Sequence, residues 1–369
     1  MTDFSADDRN AISEMFDRLL ADEASEETLR ETMATEAGYD PTLWAKMAEL
    51  GLTGLMINPD QGGIGGSAQE AGALMEVVGA HLHSSPFLQS CIIAPAILRA
   101  CTNTDTAAPL LRKIASGEMI ATVAGCGPSG DWTQAPSVTA VAVSGNYVLD
   151  GATHFVVHAR NATTAFVRAL TDDDAAMFVV DMSDASVDIT LHGSDDRTLR
   201  LSTVTFNKTP AQRLEGVGAA EIDNALLNGL VALAGEQAGA TRRIFDLTIE
   251  YLNTRYQFGQ PIGRFQALKH MAADLLVEVE SSVTVARHAA SAVAAGAPNA
   301  KALTYLAAFT CADNFRKVSA DAIQLFGGIA YTMEHPAHLY WRRAQTGQWL
   351  FGSSDRFRDL YLREMEATL

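Results

Sequence analysis

Arg255-Tyr256-Gln257-Phe258-Gly259-Gln260-Pro261-Ile262-Gly263-Arg264-Phe265-Gln266 joins two long runs of helical periodicity through a tight turn. The first run ends at the arginine, a Gly-x-Pro-x-Gly turn follows, and the glutamine opens the second run. Such a corner makes a cradle: the Arg255 guanidinium can fork onto a diphosphate, the Phe258 ring can cover a flat heterocycle, and the Gln266 amide can hydrogen-bond a nucleotide. The same twelve residues also suit an ordinary helix-turn-helix. Gln324-Leu325-Phe326-Gly327-Gly328-Ile329-Ala330-Tyr331 breaks the tie. It closes a further helical run with a glycine pair, Gly327 and Gly328, that lets a ligand approach the backbone closely.

Outward from these segments, the 3.6-residue period reaches back to Ala219 through Leu226, Leu227, Leu230, Leu233 and Ala234. Residues 266–295, 301–325 and 336–369 continue it, with breaks at Gly259, Gly296 and the Gly327-Gly328 pair, so residues 216–369 are expected to form a C-terminal four-helix bundle. Residues 121–215 have another texture. Residues 137–143 and 147–149 read as a hairpin about Ser144-Gly145-Asn146, and residues 165–169, 177–182, 187–191 and 199–206 are further short strands spaced by Asp and Gly turns. A small antiparallel, β-barrel-like domain is expected there. Residues 1–120 are expected to be helical, led by an amphipathic helix on Ile12, Met15, Phe16, Leu19 and Leu20 with a solvated acidic face. The fold class is mostly α with a small central β domain.

With 48% apolar and 19% charged residues in 369, the chain can bury a large core. Lysine plus arginine number 27 against 44 acidic residues, and the net charge of −17 repels a phosphate backbone, which argues against a nucleic-acid partner. No run approaches the roughly 18 apolar residues of a membrane span, and Met1-Thr2-Asp3-Phe4 does not open a secretory signal. Cys91, Cys101, Cys126 and Cys311 form no CxxC pair, so reduced thiols in a cytoplasm are the simplest reading. Gly62-Gly63-Ile64-Gly65-Gly66 lacks the Lys-Ser/Thr of a phosphate loop and reads as a turn. His335 and His338 miss the HExxH spacing, and Asp172-Asp173-Asp174 lacks the rest of a calcium loop, so no metal is expected.

The two glycine-bearing segments, at this separation and in a helical-β-helical chain, resemble the acyl-CoA dehydrogenase family. Residues 255–266 match its "R-x-x-F-G-x-x-I-x-x-F-Q", and residues 324–336 match "Q-x-x-G-G-x-G-Y-x-x-E-x-P" with Ala330 in place of a glycine. Glu49-Leu50-Gly51-Leu52 and Tyr147-x-Leu-Asp-Gly151 extend the resemblance over the chain. It implies an FAD-dependent oxidoreductase, a tetramer, that removes the α and β hydrogens of an acyl-CoA thioester and passes electrons to an electron-transfer flavoprotein-type acceptor. A glutamate would take the α proton while a hydride leaves for the flavin. Arg255, Phe258, Gln266, Gln324, Gly327 and Gly328 are then the cofactor-binding residues.

The departures are as informative as the matches. Counting on from Arg342-Arg343-Ala344, where relatives read "R-D-A", the catalytic glutamate position of the family's "Y-E-G-T" holds Phe351. The alternative base position, 26 residues before the motif arginine, is Gly229. Leu227 and Leu230 replace the aspartate and arginine of the substrate-binding "D-x-x-R". Ala124-Gly-Cys-Gly-Pro-Ser-Gly-Asp131 stands for "T-E-P-x-x-G-S-D", and Phe155-Val156-Val157 for "W-I-T", so Val157 offers no hydroxyl to a flavin. Catalytic and acyl-binding residues are thus left unassigned.

In the family the motif arginine, the glutamine and the Gln-Gly-Gly segment reach the flavin of a neighbouring subunit, whereas "W-I-T", "T-E-P" and the glutamate serve a subunit's own site. This chain keeps what it would lend and has lost what it would use, resembling the incomplete subunit of heteromeric dehydrogenases of bacterial steroid side-chain degradation. The expected partner is a glutamate-bearing paralogue. Two other readings stay open: an active homo-oligomer with a displaced base, Asp355, and a non-enzymatic acyl-CoA or flavin binder.

Overall fold

The computed structural model describes residues 4–172 and 174–367; Met1 to Asp3 at the start and Asp173 of the acidic turn lie outside them. The first third is helical: α1 (Ala6–Glu23), α2 (Glu26–Ala34), α3 (Pro41–Glu49), α4 (Ala68–Ala80), a π-helical turn (Leu88–Ile93) running into α5 (Ala94–Ala100), and α6 (Thr104–Ala115). Local chemistry sets the starts. Ser5, Ser25, Asp40, Ser67 and Asn103 each accept a first-turn N–H, and Ser5/Asp8 and Ser67/Glu70 are full capping boxes. Phe16 and Leu20 bury the apolar stripe of α1.

Seven strands follow: β1 (Ala121–Ala124), β2 (Val138–Val143), β3 (Asn146–Val157), β4 (Thr164–Leu170), β5 (Ala175–Asp181), β6 (Val187–Leu191) and β7 (Leu201–Gly218). β2 and β3 form the expected hairpin, with Val143 opposite Asn146. The sheet departs from the expected antiparallel pattern in one way: it is mixed, because β1 runs parallel to β4. It curls into the expected barrel-like form without becoming a true barrel, with a single parallel bridge, Thr139 to Leu170, joining β2 to β4. Phe166, Phe178 and Phe206 are buried within it, each contributing on the order of 1.5–3 kcal/mol of transfer free energy.

The rest is α7 (Ala219–Thr254), a small hairpin of β8 (Tyr256–Gln257) and β9 (Gln260–Pro261), α8 (Gln266–Ala294), α9 (Ala300–Phe326), α10 (Ala337–Gly347) and α11 (Ser354–Glu366). The expected fourth helix is therefore two short ones, parted by a turn that contains Phe351 and Gly352, both at positive φ.

α4 crosses α7 on glycines. A Cβ at Gly79 would stand 1.8 Å from the Glu236 carbonyl oxygen, and one at Gly239 would stand 1.9 Å from that of Glu76. The two backbones are in direct contact, as only glycine allows. No helix among the described residues is long and apolar enough to cross a membrane.

Candidate functional site

The two motif segments come together at one end of the bundle. Tyr251, one turn before the end of α7, packs its ring 5.0 Å from that of Phe326, the last residue of α9. Ile262 and Leu268 join the same cluster. The Ile262 N–H donates to the Arg255 carbonyl at 2.8 Å, closing the turn. This ordered corner presents its side chains outward. Arg255 is exposed, and its guanidinium has no hydrogen-bond or ion-pair partner among the described residues. Phe258 is 89% exposed, held at φ 52°, with its ring edge-on to Phe265 at 6.0 Å. Gln266 opens α8 and Gln324 lies in the last turn of α9, both exposed. A Cβ at Gly327 or Gly328 would meet nothing within 4 Å, so the glycine pair leaves an open step in the surface. Tyr256, Tyr331 and Met333 add exposed apolar area around it.

A free guanidinium, an uncovered aromatic face, two amides and a backbone step suit a dinucleotide with an anionic linker and a flat ring. These residues fit FAD, and Arg255, Phe258, Gln266 and Gln324 all stand exposed, so what they would hold would have to be enclosed by something else.

A second place lies elsewhere, between the sheet and α10. A cavity of about 570 Å³ is walled by Phe155, His192, Trp341 and Trp349, with Ser129 and Gly130 at its edge. His192 meets the Phe155 ring edge-on at 5.5 Å, and burial lowers its pKa, with the charge of His154 adding to the effect. Val157 is buried and has only its methyl groups to offer. In the altered loop, burial pushes the Cys126 thiol up to about 12, and its S–H donates to the His154 carbonyl at 2.9 Å, so it is no thiolate nucleophile.

The two positions where the family resemblance looks for a base are apolar: one is Phe351, and the other, Gly229, is crowded by Ile93. Phe351 is 7% exposed and lies 5.9 Å from Trp132, ring to ring. A Cβ on Gly229 would stand 2.7 Å from Ile93 Cδ1 and 4.0 Å from the Phe351 ring. The space beside Leu230 and Phe357 is about 10 Å³, room for a single water at most. Asp355 lies on the outside: its side chain is 94% exposed and pairs with Arg358 at 2.8 Å. In this chain it faces solvent.

His335 packs on the Phe326 ring at 4.3 Å, and His338 Nε2 lies 3.4 Å from the Met333 carbonyl, so both brace the second motif. No group of three metal-ligating side chains exists among the described residues. A pair the sequence does not reveal joins α10 to α7. Arg343, standing where relatives carry the aspartate of "R-D-A", donates to Glu236 of α7 at 2.8 Å and to the Thr198 carbonyl at 2.7 Å, fully buried. The partners are 107 residues apart, so no local pattern exposes them.

Comparison with known proteins agrees with this architecture. The family model for the acyl-CoA dehydrogenase N-terminal domain matches residues 6–118 and that for the C-terminal domain matches residues 216–366. The chain belongs to the acyl-CoA dehydrogenase family of FAD-dependent oxidoreductases. It is 32% identical to acyl-CoA dehydrogenase IpdE2 of Mycobacterium tuberculosis over 92% of this chain and 91% of that protein. Among solved structures, the ChsE4-ChsE5 complex of Mycobacterium tuberculosis superposes with a TM-score of 0.91 at 25% identity, covering 100% of both chains. The steroid acyl-CoA dehydrogenase Tcur3481-Tcur3483 superposes at 0.90, also at 25% identity, covering 98% of both. The FAD complex of PigA shares the fold at 20% identity with a TM-score of 0.87, covering 100% of both chains.

Proposed function

We propose that this chain is the glutamate-lacking subunit of a heteromeric acyl-CoA dehydrogenase, and that it completes the flavin site of a glutamate-bearing paralogue. The observation that carries this reading is the apolar plug of Ile93, Trp132 and Phe351 at the two positions where the family resemblance looks for a base. A buried site of this composition has no group to accept the α proton of a thioester, and a proton that weakly acidic does not leave unaided.

The other end of the bundle supplies what the partner lacks. Arg255 neutralises the diphosphate, Phe258 shields the cofactor from water, and the amides of Gln266 and Gln324 orient it, while Gly327 and Gly328 keep side chains out of its way. When bound, FAD supplies the hydride acceptor for the β hydrogen. The proton is taken by the partner's glutamate, and the electrons leave to an electron-transfer flavoprotein-type acceptor. The two-chain composition of the ChsE4-ChsE5 complex supports the heteromeric reading. The solvated position of Asp355 weighs against a self-sufficient homo-oligomer.

Expression of the chain alone and together with a glutamate-bearing paralogue tests the assignment. The lone chain should be colourless or hold little flavin, and the co-expressed complex should be yellow with less than one flavin per chain. A stoichiometric FAD complex of the lone chain would overturn it.

A further inference from the structure

His335 and His338 belong to the stretch that joins the Gly327-Gly328 step to α10, and neither is part of the exposed face of the cofactor corner. Residues 332–336 are turn and bend only, so side chains decide how firmly they are held. Pro336 stands at the N-cap of α10 and its side chain caps nothing. The first N–H of the helix, that of Ala337, donates instead to His335 Nδ1 at 3.2 Å. The His335 ring lies 4.3 Å from that of Phe326, which packs in turn on Tyr251 of α7. His338 reaches back to the same stretch: its Nε2–H donates to the Met333 carbonyl at 3.4 Å, while its Nδ1 is buried without a partner among the described residues.

Both arrangements require neutral imidazoles. His335 Nδ1 accepts only while its lone pair is free, and a proton there would leave the Ala337 N–H without its acceptor. A second proton on His338 would sit on Nδ1, buried with nothing to receive it. Burial is the leading influence on both rings and holds their pKa below the ordinary histidine value. From α2, Glu26 favours the charged form, but it is paired with Arg30 at 2.6 Å, and Arg30 opposes that form at both rings. Arg342 of α10 opposes it at His338. Glu334 is exposed and hydrogen-bonded to Thr332. From α9 comes the Phe326 ring, whose attraction for a cation does not restore the lost backbone bond.

We infer that the two histidines are a pH-sensitive latch on the cofactor corner: a proton taken up at either ring frees residues 327–336 from α10 and slackens the Gly327-Gly328 step, so that mild acid speeds the departure of the flavin held there. The inference rests on the reading that this corner holds a partner's flavin. Its sign follows from linkage: below about pH 6.5 the open stretch binds protons that the closed one refuses, so opening is rare above that pH and grows as it falls. Each ring can raise the open population by at most about tenfold between about pH 7.5 and about pH 5.5.

Two measurements on the wild type and on the double variant His335→Asn/His338→Gln test it. The asparagine oxygen stands in for Nδ1 and the glutamine amide for Nε2–H, so the contacts remain and the titration does not. In the lone chain, hydrogen exchange of residues 327–339, read as protection relative to the intrinsic rate, should fall at least about tenfold from about pH 7.5 to about pH 5.5 in the wild type and stay level in the variant. Amides around Val78 should behave alike in both. In the complex with a glutamate-bearing paralogue, flavin release on dilution should speed up by a similar factor in the wild type alone. Wild-type protection that held level with pH, or that fell equally in the variant, would overturn the latch. Exchange as expected, with flavin release the same in both proteins, would overturn its link to the flavin. Arg255→Ala then separates the two readings, because weakened flavin retention there upholds the corner as a flavin site and unchanged retention removes that reading as well.

Discussion

Returning a carboxylate to the base position, Phe351→Glu, tests whether that position is closed to chemistry. The phenyl ring is 7% exposed and rests against Trp132, and truncating such a side chain costs about 3–5 kcal/mol. A glutamate there would exchange aromatic contact for a carboxyl with no partner, in a position whose left-handed φ of 67° suits it no better. Desolvation would raise its folded pKa above the unfolded value of about 4.3. Stability is then fully present below that value and declines as pH rises toward the folded pKa. A rise of two units would make the variant about 1.7 kcal/mol less stable at pH 8 than at pH 5. Urea denaturation at the two pH values, with Phe351→Gln as the uncharged control, measures the difference. Dye reduction with a bulky acyl-CoA measures activity, and none is expected from the lone chain, because a base helps only when held within reach of its proton. A variant that matched Phe351→Gln in its pH dependence, or that reduced dye on its own, would refute the reasoning.

Arg255→Ala should weaken flavin retention by the co-expressed complex at least about tenfold, or 1.4 kcal/mol, while leaving the unfolding midpoint of the lone chain unchanged, since the guanidinium has no partner within it. Glu236→Leu strands the buried charge of Arg343 and should cost about 3–5 kcal/mol in denaturant unfolding, most of it recovered when Arg343→Leu is added; failure of the double variant to recover would mean the pair is tied to more than itself. Burial pushes His83 down to about 4 and His158 down to about 3. The unfolded chain therefore takes up protons below about pH 6.5 that the folded chain refuses, and stability should fall by about 2 kcal/mol per histidine between pH 8 and pH 5. His83→Gln should halve that loss in urea unfolding, and a pH-independent wild type would contradict the burial of both rings.

The helices that carry the cofactor corner were legible because a 3.6-residue period runs unbroken through α7, α8 and α9 and stops at glycines. The end of β7 was not, because Asn207-Lys208-Thr209-Pro210 reads as a loop. In the fold Lys208 takes a positive φ at a bulge, and Pro210 still pairs opposite Val148. The break between α10 and α11 was hidden too, since the helical spacing of Leu350 and Phe357 continues across it. At the base position, the loss of the glutamate could be counted along the chain. Its replacement by a packed plug could not, because Ile93, Trp132, Gly229 and Phe351 arrive from four distant segments and their meeting is a property of tertiary packing alone.

The glycine crossing of α4 and α7 also sets how the molecule comes apart. With carbonyls of one helix touching the α-carbons of the other, neither can tilt or slide without the second, so the N-terminal helices and the bundle open as a single cooperative unit. The last amide protons to exchange with solvent should lie on both sides of this seam, around Val78 and Ala238. Those of the exposed Arg255–Gln266 corner should exchange early, which leaves that surface free to adjust to whatever it meets while its scaffold stays closed.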